Sequence, residues 1–396
     1  MKVTIISKEY PPHVYGGAGV HVKFLTRELA KRMQVEVRCF GEQNIADGNL
    51  SVRGYQAWDR MWEGAERRFN STLGTFSTDL SLVRDQLDSD VVHTHTWYAA
   101  FAGYMAKVLY DIPLVCTVHS LEPLRPWKEE QLGRSYHLST WVEKVALENA
   151  DRVISVSQGS KKDILEHFNV DPARIRVIHN GIDLDLYRPV DVDSTRKAFE
   201  IDGPYILFVG RTSRQKGMNY LIDAMDLVDP GVQLVCCTSA PDTKEVEQEI
   251  AAKIAKQPRV LWINSLLREE QYVELYANAT LFACPSVYEP FGIINLEAMA
   301  CQTPVVASRV GGILETVVDG ETGLLVEPAN PQALADGINA LLRDPARAQA
   351  YGRNGRRRVE DHFSWSHIAK QTEALYSELV EERAAASSAA AHGRTQ

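Results

Sequence analysis

Two segments of this 396-residue chain carry the residue types that do chemistry. In YILFVGRTSRQKG, Arg211, Arg214 and Lys216 stand directly behind an apolar run, with Gly210 and Gly217 loosening the turn. Cations at the carboxyl end of a buried strand suit a phosphate or diphosphate, because Arg offers a two-pronged donor and Lys a point charge. In SVYEPFGIINLEAMA, Glu289 and Glu297 bracket seven residues. Glu289 falls in a strand's exit loop, and a helix over 292–300 follows, its start marked by Pro290. The amides of Phe291, Gly292 and Ile293 are then open donors for sugar or phosphate oxygens. Glu297 falls about one and a half turns into that helix, beside Ile294, Leu296 and Met299, where a bare carboxylate is costly. A vicinal diol would satisfy it, and so would a neighbouring Arg; Glu289 could equally be a solvated surface acid.

A third segment, SKEYPPHVYGGAGVHV, places Gly16, Gly17 and Gly19 before a helix. Gly17 and Gly19 fit a dinucleotide fingerprint with Glu36 as the acid, but Val22 occupies the third glycine position. A loop whose backbone approaches phosphate or sugar closely explains it better. No G-x-x-x-x-G-K-[ST] occurs, which excludes a P-loop. His95 with Trp97, and His119 after PLVCTV, sit at strand exits. His93 and His95 share one strand face and offer two metal ligands, but no third is evident, so no metal is expected. Asp88-Ser89-Asp90 precedes its strand, on the side away from these residues, and reads as turn chemistry.

The elements that must position these groups alternate. Short apolar runs such as VTIIS, DVVHTHT and RVISVS are separated by segments of helical period, and the pattern restarts at YILFVG. Continuous apolar strands between amphipathic helices mean a parallel sheet covered on both faces. The expectation is α/β: two doubly wound Rossmann-like domains facing across a cleft, residues 1–190 and 191–365. A C-terminal helix over 366–383 returns to the first domain, and 384–396 form a flexible tail.

A net charge of -9 and the lack of long basic blocks argue against a nucleic-acid surface. Arg356-Arg357-Arg358 reads as a solvated helix face. Six cysteines in or beside apolar runs, without a CxxC pair, suit a cytoplasmic protein. MKVTIIS reads as a strand, and no apolar run is long enough to span a membrane.

HNGID, GRTSRQKG, EPFGIINLEAMA, VGGILE and TGLLV, in this order along the chain, resemble the retaining GT-B glycosyltransferases of family GT4. CTSAPDT and SKEYPPHVYGGAGVH are similar to the members that build α-glucans in actinobacteria. The resemblance implies catalytic roles for Glu289, His119, Arg211 and Lys216. It implies donor contacts from Gly16, Gly17, Thr238, Ser239, Leu267, Phe291, Gly292, Ile293 and Glu297, with Tyr15, His95 and Trp97 on the acceptor side. No cofactor is implied. The implied reaction is retaining transfer of α-D-glucose from ADP-glucose, or alternatively UDP-glucose, to glucose 1-phosphate, giving α-maltose 1-phosphate. Bulk glycogen synthases carry a lysine where Val14-Tyr15 precedes the glycines here, which favours the small phosphorylated acceptor over an α-glucan chain. The rivals are chain elongation of glycogen, transfer from another nucleotide sugar, and a nucleotide-sugar epimerase. No nucleic-acid or membrane partner is expected; oligomeric state stays open, a homodimer being one option.

Overall fold

The protein is described from a computed structural model covering residues 1–14, 16–59, 69–126, 128–239 and 241–393. Tyr15 and the last three residues of the expected tail lie outside the described residues. The chain divides into two compact units: residues 1–180 with 365–396, and residues 181–364. The division falls ten residues ahead of the 190/191 boundary expected from the sequence.

Unit 1 is built on eight strands: β1 (Lys2–Ser7), β2 (Gln34–Phe40), β3 (Asn44–Asp47), β4 (Leu50–Tyr55), β5 (Val91–His95), β6 (Leu114–Val118), β7 (Arg152–Ser155) and β8 (Ile175–Val177). Their order is β3-β4-β2-β1-β5-β6-β7-β8. Every pair is parallel except β3–β4. All residues of β5 and β6 are buried, as expected of strands with helices on both faces. The antiparallel edge is a departure from an all-parallel sheet. Its strand β3, NIAD, is exposed throughout and has no apolar run to bury.

Unit 2 carries β9 (Tyr205–Arg211), β10 (Gln233–Ser239), β11 (Val260–Asn264), β12 (Leu281–Cys284), β13 (Val305–Ser308) and β14 (Gly323–Val326). The order is β11-β10-β9-β12-β13-β14, parallel throughout. The chain lays down β9, β10 and β11 outward in one direction, then returns to the other side of β9. The crevice between β9 and β12 is therefore the topological switch point, where open α/β sheets bind ligands.

The last helix, Trp365–Gly393, belongs to unit 1. Trp365 stacks on Phe24 with ring centroids 5.8 Å apart, and the Tyr376 hydroxyl bonds His93 Nδ1 at 2.6 Å. The helix runs about ten residues beyond the 383 expected from the sequence, through AAASSAAAH: alanine is the best helix former, and no breaker intervenes before Gly393. No helix among the described residues is long and apolar enough to cross a membrane.

The basic run at 356–358 departs from the solvated face expected of it. Arg356 Nη1 donates to the carbonyls of Tyr187 and Ala300, each at 2.9 Å, and Arg358 donates to those of Thr316 and Glu315. Only Arg357 is exposed. The cause is local: Ala300 ends the helix Ile293–Ala300, and helix-end carbonyls attract guanidinium donors.

Candidate active site

In unit 2 the predicted residues collect at the carboxyl ends of four adjacent strands. Thr238 and Ser239 end β10, Arg211 ends β9, and Leu267 and Glu289 lie in the loops leaving β11 and β12. Lys216 closes a short 3-10 turn, Arg214–Lys216, whose Ser213 side chain accepts from the Lys216 amide. The next residue, Gly217, has φ +66, and a Cβ there would sit 2.0 Å from the Pro285 carbonyl oxygen. Only glycine lets the β9 loop lie this close to the β12 loop. Two further bonds fix the approach: Val287 N–H donates to Gln215 O at 2.9 Å, and Gln215 Nε2 to Tyr288 O at 3.1 Å.

The result is a contact across the switch point. Lys216 Nζ donates to Glu289 Oε2 at 2.6 Å, and Ser286 Oγ donates to the same oxygen at 3.2 Å. Among the described residues neither of these bonds reaches the second carboxylate oxygen, Oε1. Glu289's own backbone is braced by VGGILE, since its carbonyl accepts from Gly312 N–H at 2.9 Å. Gly311 (φ +49) would place a Cβ 2.2 Å from that carbonyl oxygen. Arg211 Nη1 pairs with Asp242 Oδ1 at 2.6 Å, so both predicted cations are held by carboxylates.

Gly292 caps the helix Ile293–Ala300 at φ +93, and the helix opens with Ile293, so Phe291 and Gly292 lie in its approach. Tyrosines, not an arginine, pair Glu297 within the chain: Oε2 accepts from the Tyr276 hydroxyl at 2.8 Å, and the Tyr187 hydroxyl also bonds the carboxylate. Burial raises the Glu297 pKa against these lowering hydrogen bonds. The two tyrosines, 110 and 21 residues before Glu297, the second in the helix Glu269–Asn278, carried no local sequence signal. Thr238 Oγ1 accepts from Trp262 Nε1 at 2.8 Å and lies 3.2 Å from Asn264 Oδ1.

In unit 1 the glycine loop is held by Glu9, whose Oε2 accepts from Gly16 N–H at 2.8 Å; Gly17 starts the helix Gly17–Ala30. His95 and His119 end neighbouring strands β5 and β6, with His95 Nδ1 and His119 Nε2 3.0 Å apart. His21, from the glycine-loop helix, joins them: one nitrogen of each of His21, His95 and His119 lies within 4.8 Å of the others. The sequence pairing of His93 with His95 is thus replaced by a different trio. His93 is bonded through both ring nitrogens, to Tyr376 and to Thr117, each at 2.6 Å. Burial keeps all four rings neutral, lowering His21 to about 4 and His93 to about 3, with His95 and His119 also well below their usual value. Trp97 is buried, with Tyr98 stacked on it at 4.1 Å; among the described residues His95 is also buried and His119 is partly open. Between His95 and Trp97, Thr96 adopts φ +64, ψ 163, a conformation that costs on the order of 1–3 kcal/mol and concentrates at functional sites. Asp90 and Ser89 lie at the opposite edge, bonded to Lys2 N–H and Thr4, as the turn reading requires.

Residues 15–186 match Glycosyltransferase Family 4, and residues 191–358 match Glycosyl transferases group 1. Sucrose-phosphate synthase from Thermosynechococcus elongatus has a similar structure, with a TM-score of 0.80 at 28% identity, covering 96% of this chain and 99% of that one. Fold and matches together define a GT-B glycosyltransferase. The chain belongs to glycosyltransferase family GT4. It is 45% identical to an alpha-maltose-1-phosphate synthase of Mycolicibacterium smegmatis, over 96% of this chain and all of that protein. A glycogen synthase of Mycobacterium tuberculosis is 31% identical, over 95% of this chain and 94% of that protein.

Proposed function

We propose that the chain transfers α-D-glucose, with retention, from ADP-glucose to the 4-hydroxyl of glucose 1-phosphate, releasing ADP and forming α-maltose 1-phosphate. The observation that carries this reading is the full-length likeness to an alpha-maltose-1-phosphate synthase, with which the cations at the β9 end agree.

In this reaction the bond from the anomeric carbon to the diphosphate breaks while a bond to the acceptor oxygen forms on the same face. The acceptor proton passes to the departing diphosphate. Arg211 and Lys216 stabilise the charge that grows there, an effect strongest in the transition state. A lysine ammonium has three donors, so Lys216 can keep Glu289 while it binds a phosphate oxygen. Glu289, tied down through Oε2, offers Oε1 to the transferred sugar near its 3-hydroxyl rather than attacking it. His119 meets the sugar near the 6-hydroxyl as a neutral ring. Glu297, oriented by Tyr276, faces the ribose, and Thr238, Ser239 and Leu267 border the base. Gly16 and Gly17 approach the diphosphate. Neither a metal nor another cofactor is required.

Purified enzyme incubated with a panel of nucleotide sugars, and with glucose 1-phosphate or glycogen as acceptor, tests the assignment. α-Maltose 1-phosphate formed from ADP-glucose is the expected product. Elongation of glycogen without it would instead favour the second reading, for which the 31% likeness to a glycogen synthase speaks.

A further inference from the structure

Lys8, Tyr98, Arg125 and Lys128 come from the carboxyl ends of three neighbouring strands of unit 1. Lys8 follows β1, Tyr98 lies in the first turn after β5, and Arg125 and Lys128 follow β6. Lys8 Nζ stands 3.7 Å from the centre of the Tyr98 ring and Lys128 Nζ 5.8 Å from it, so one aromatic face orients two ammonium groups. Lys128 Nζ donates to Glu122 Oε1 at 2.6 Å, and Arg125 Nη1 is 4.0 Å from that oxygen. The other oxygen of Glu122 accepts from Ser139 at 2.8 Å. Glu143 accepts the Glu122 N–H, and burial beside that carboxylate raises its pKa well above the usual range, favouring the neutral acid.

Two cations, Lys128 and Arg125, thus face the Glu122 carboxylate, and a third, Lys8, shares the Tyr98 ring with Lys128. Among the described residues Lys8 has no ion-pair partner, though it is largely withdrawn from water; burial lowers its pKa and that of Lys128. The Glu9 carboxylate opposes this shift without overcoming it, so the ammonium stays under-compensated and an arriving dianion offsets the remainder. The cluster shares its sheet edge with His95 and Trp97, expected on the acceptor side, and with His119. The donor's diphosphate already has Arg211 and Lys216 in unit 2.

We propose that Lys8, supported by Lys128 and Arg125 around the Tyr98 ring, binds the phosphomonoester of the acceptor sugar. The inference rests on the reading of the acceptor as a sugar phosphate. A phosphomonoester is mostly dianionic near neutral pH, and Lys8 supplies the charge that a neutral sugar or glucan end would leave uncompensated.

The test is Lys8→Gln in the full chain; this change leaves the Glu122 pairs untouched. The KM for glucose 1-phosphate is expected to rise about tenfold or more, with the ADP-glucose KM and acceptor-independent ADP-glucose hydrolysis changed less than about twofold. Lys8→Arg should recover most of the loss. Inorganic phosphate should compete with glucose 1-phosphate in the wild type and more weakly in Lys8→Gln. An unchanged acceptor KM, or a rise confined to the donor KM, overturns this inference alone, because wild-type turnover would still stand. A wild-type enzyme that makes no α-maltose 1-phosphate overturns the acceptor reading and this inference with it.

Discussion

Lys216 Nζ and Glu289 Oε2 meet at 2.6 Å across the switch point of the second sheet, joining the loops that leave β9 and β12. Both side chains are largely shielded, with 15% and 8% of their surfaces exposed, so each supplies the counter-charge that makes the other tolerable. In the proposed function the pair holds the cation for the donor phosphate and the carboxylate for the transferred sugar in register.

Lys216→Ala removes a charge whose value is greatest as the diphosphate departs. We expect kcat to fall by roughly 10²–10³ and the donor KM to move less than about tenfold. Steady-state kinetics check this, and a near-normal kcat would reject the role.

Tyr276→Phe removes the hydroxyl that orients Glu297 while keeping the buried ring. With Glu297 on the ribose, as proposed, the group it holds does not change during transfer, so the loss should fall on binding alone. The donor KM should rise about three- to tenfold with kcat nearly constant. A matching fall in kcat would place Glu297 nearer the reacting centre.

The histidine cluster makes a statement about acid. His21 and His93 are lowered to about 4 and about 3, from an unfolded value near 6.5. Between those limits the unfolded chain binds more protons than the fold, so stability rises with pH. It is fully present above about 6.5 and declines as pH falls toward 4 and 3. Each histidine contributes a slope of about 1.4 kcal/mol per pH unit there. Urea unfolding at pH 7, 6 and 5 should show progressive loss; equal stability at all three would contradict neutral buried rings.

Arg356→Leu removes two bonds to carbonyls, one at the end of the Glu297 helix and one at Tyr187. The expected cost is about 2–3 kcal/mol in thermal or urea unfolding. Because Tyr187 also bonds Glu297, the donor KM should rise with it. An unaltered melting curve would mean that these carbonyls are satisfied without the guanidinium.

Gly217→Ala would put a methyl group 2.0 Å from the Pro285 carbonyl, at a φ of +66. Neither backbone can yield without separating the two loops. Loss of several kcal/mol of stability is expected, with activity falling in step as Lys216 is displaced. Normal activity from a normally folded variant would show that the approach is not needed.

Much of this was legible in the chain. The anion cluster at Arg211 and Lys216 and the Glu289 loop were readable because each is a local strand–loop–helix pattern. The helix Ile293–Ala300 likewise announced itself through its apolar spacing. What escaped was non-local. Tyr276 reaches Glu297 from another helix, and His21 reaches His95 and His119 from another strand's end, so no spacing within one segment could reveal either. The edge pair β3–β4 was missed because its exposed strand has no alternation to read. Arg356 and Arg358 looked solvated because their acceptors are backbone carbonyls, and every residue supplies one of those.

The closing helix has a further consequence for how the protein is made. His93 leaves the ribosome early, and the Tyr376 hydroxyl that holds it follows 283 residues later, after all of unit 2. Unit 2 is contiguous and can complete itself while the nascent chain is still growing; the first sheet must wait for the last stretch to be translated. A premature stop near residue 364 would therefore injure the half of the molecule that was synthesised first.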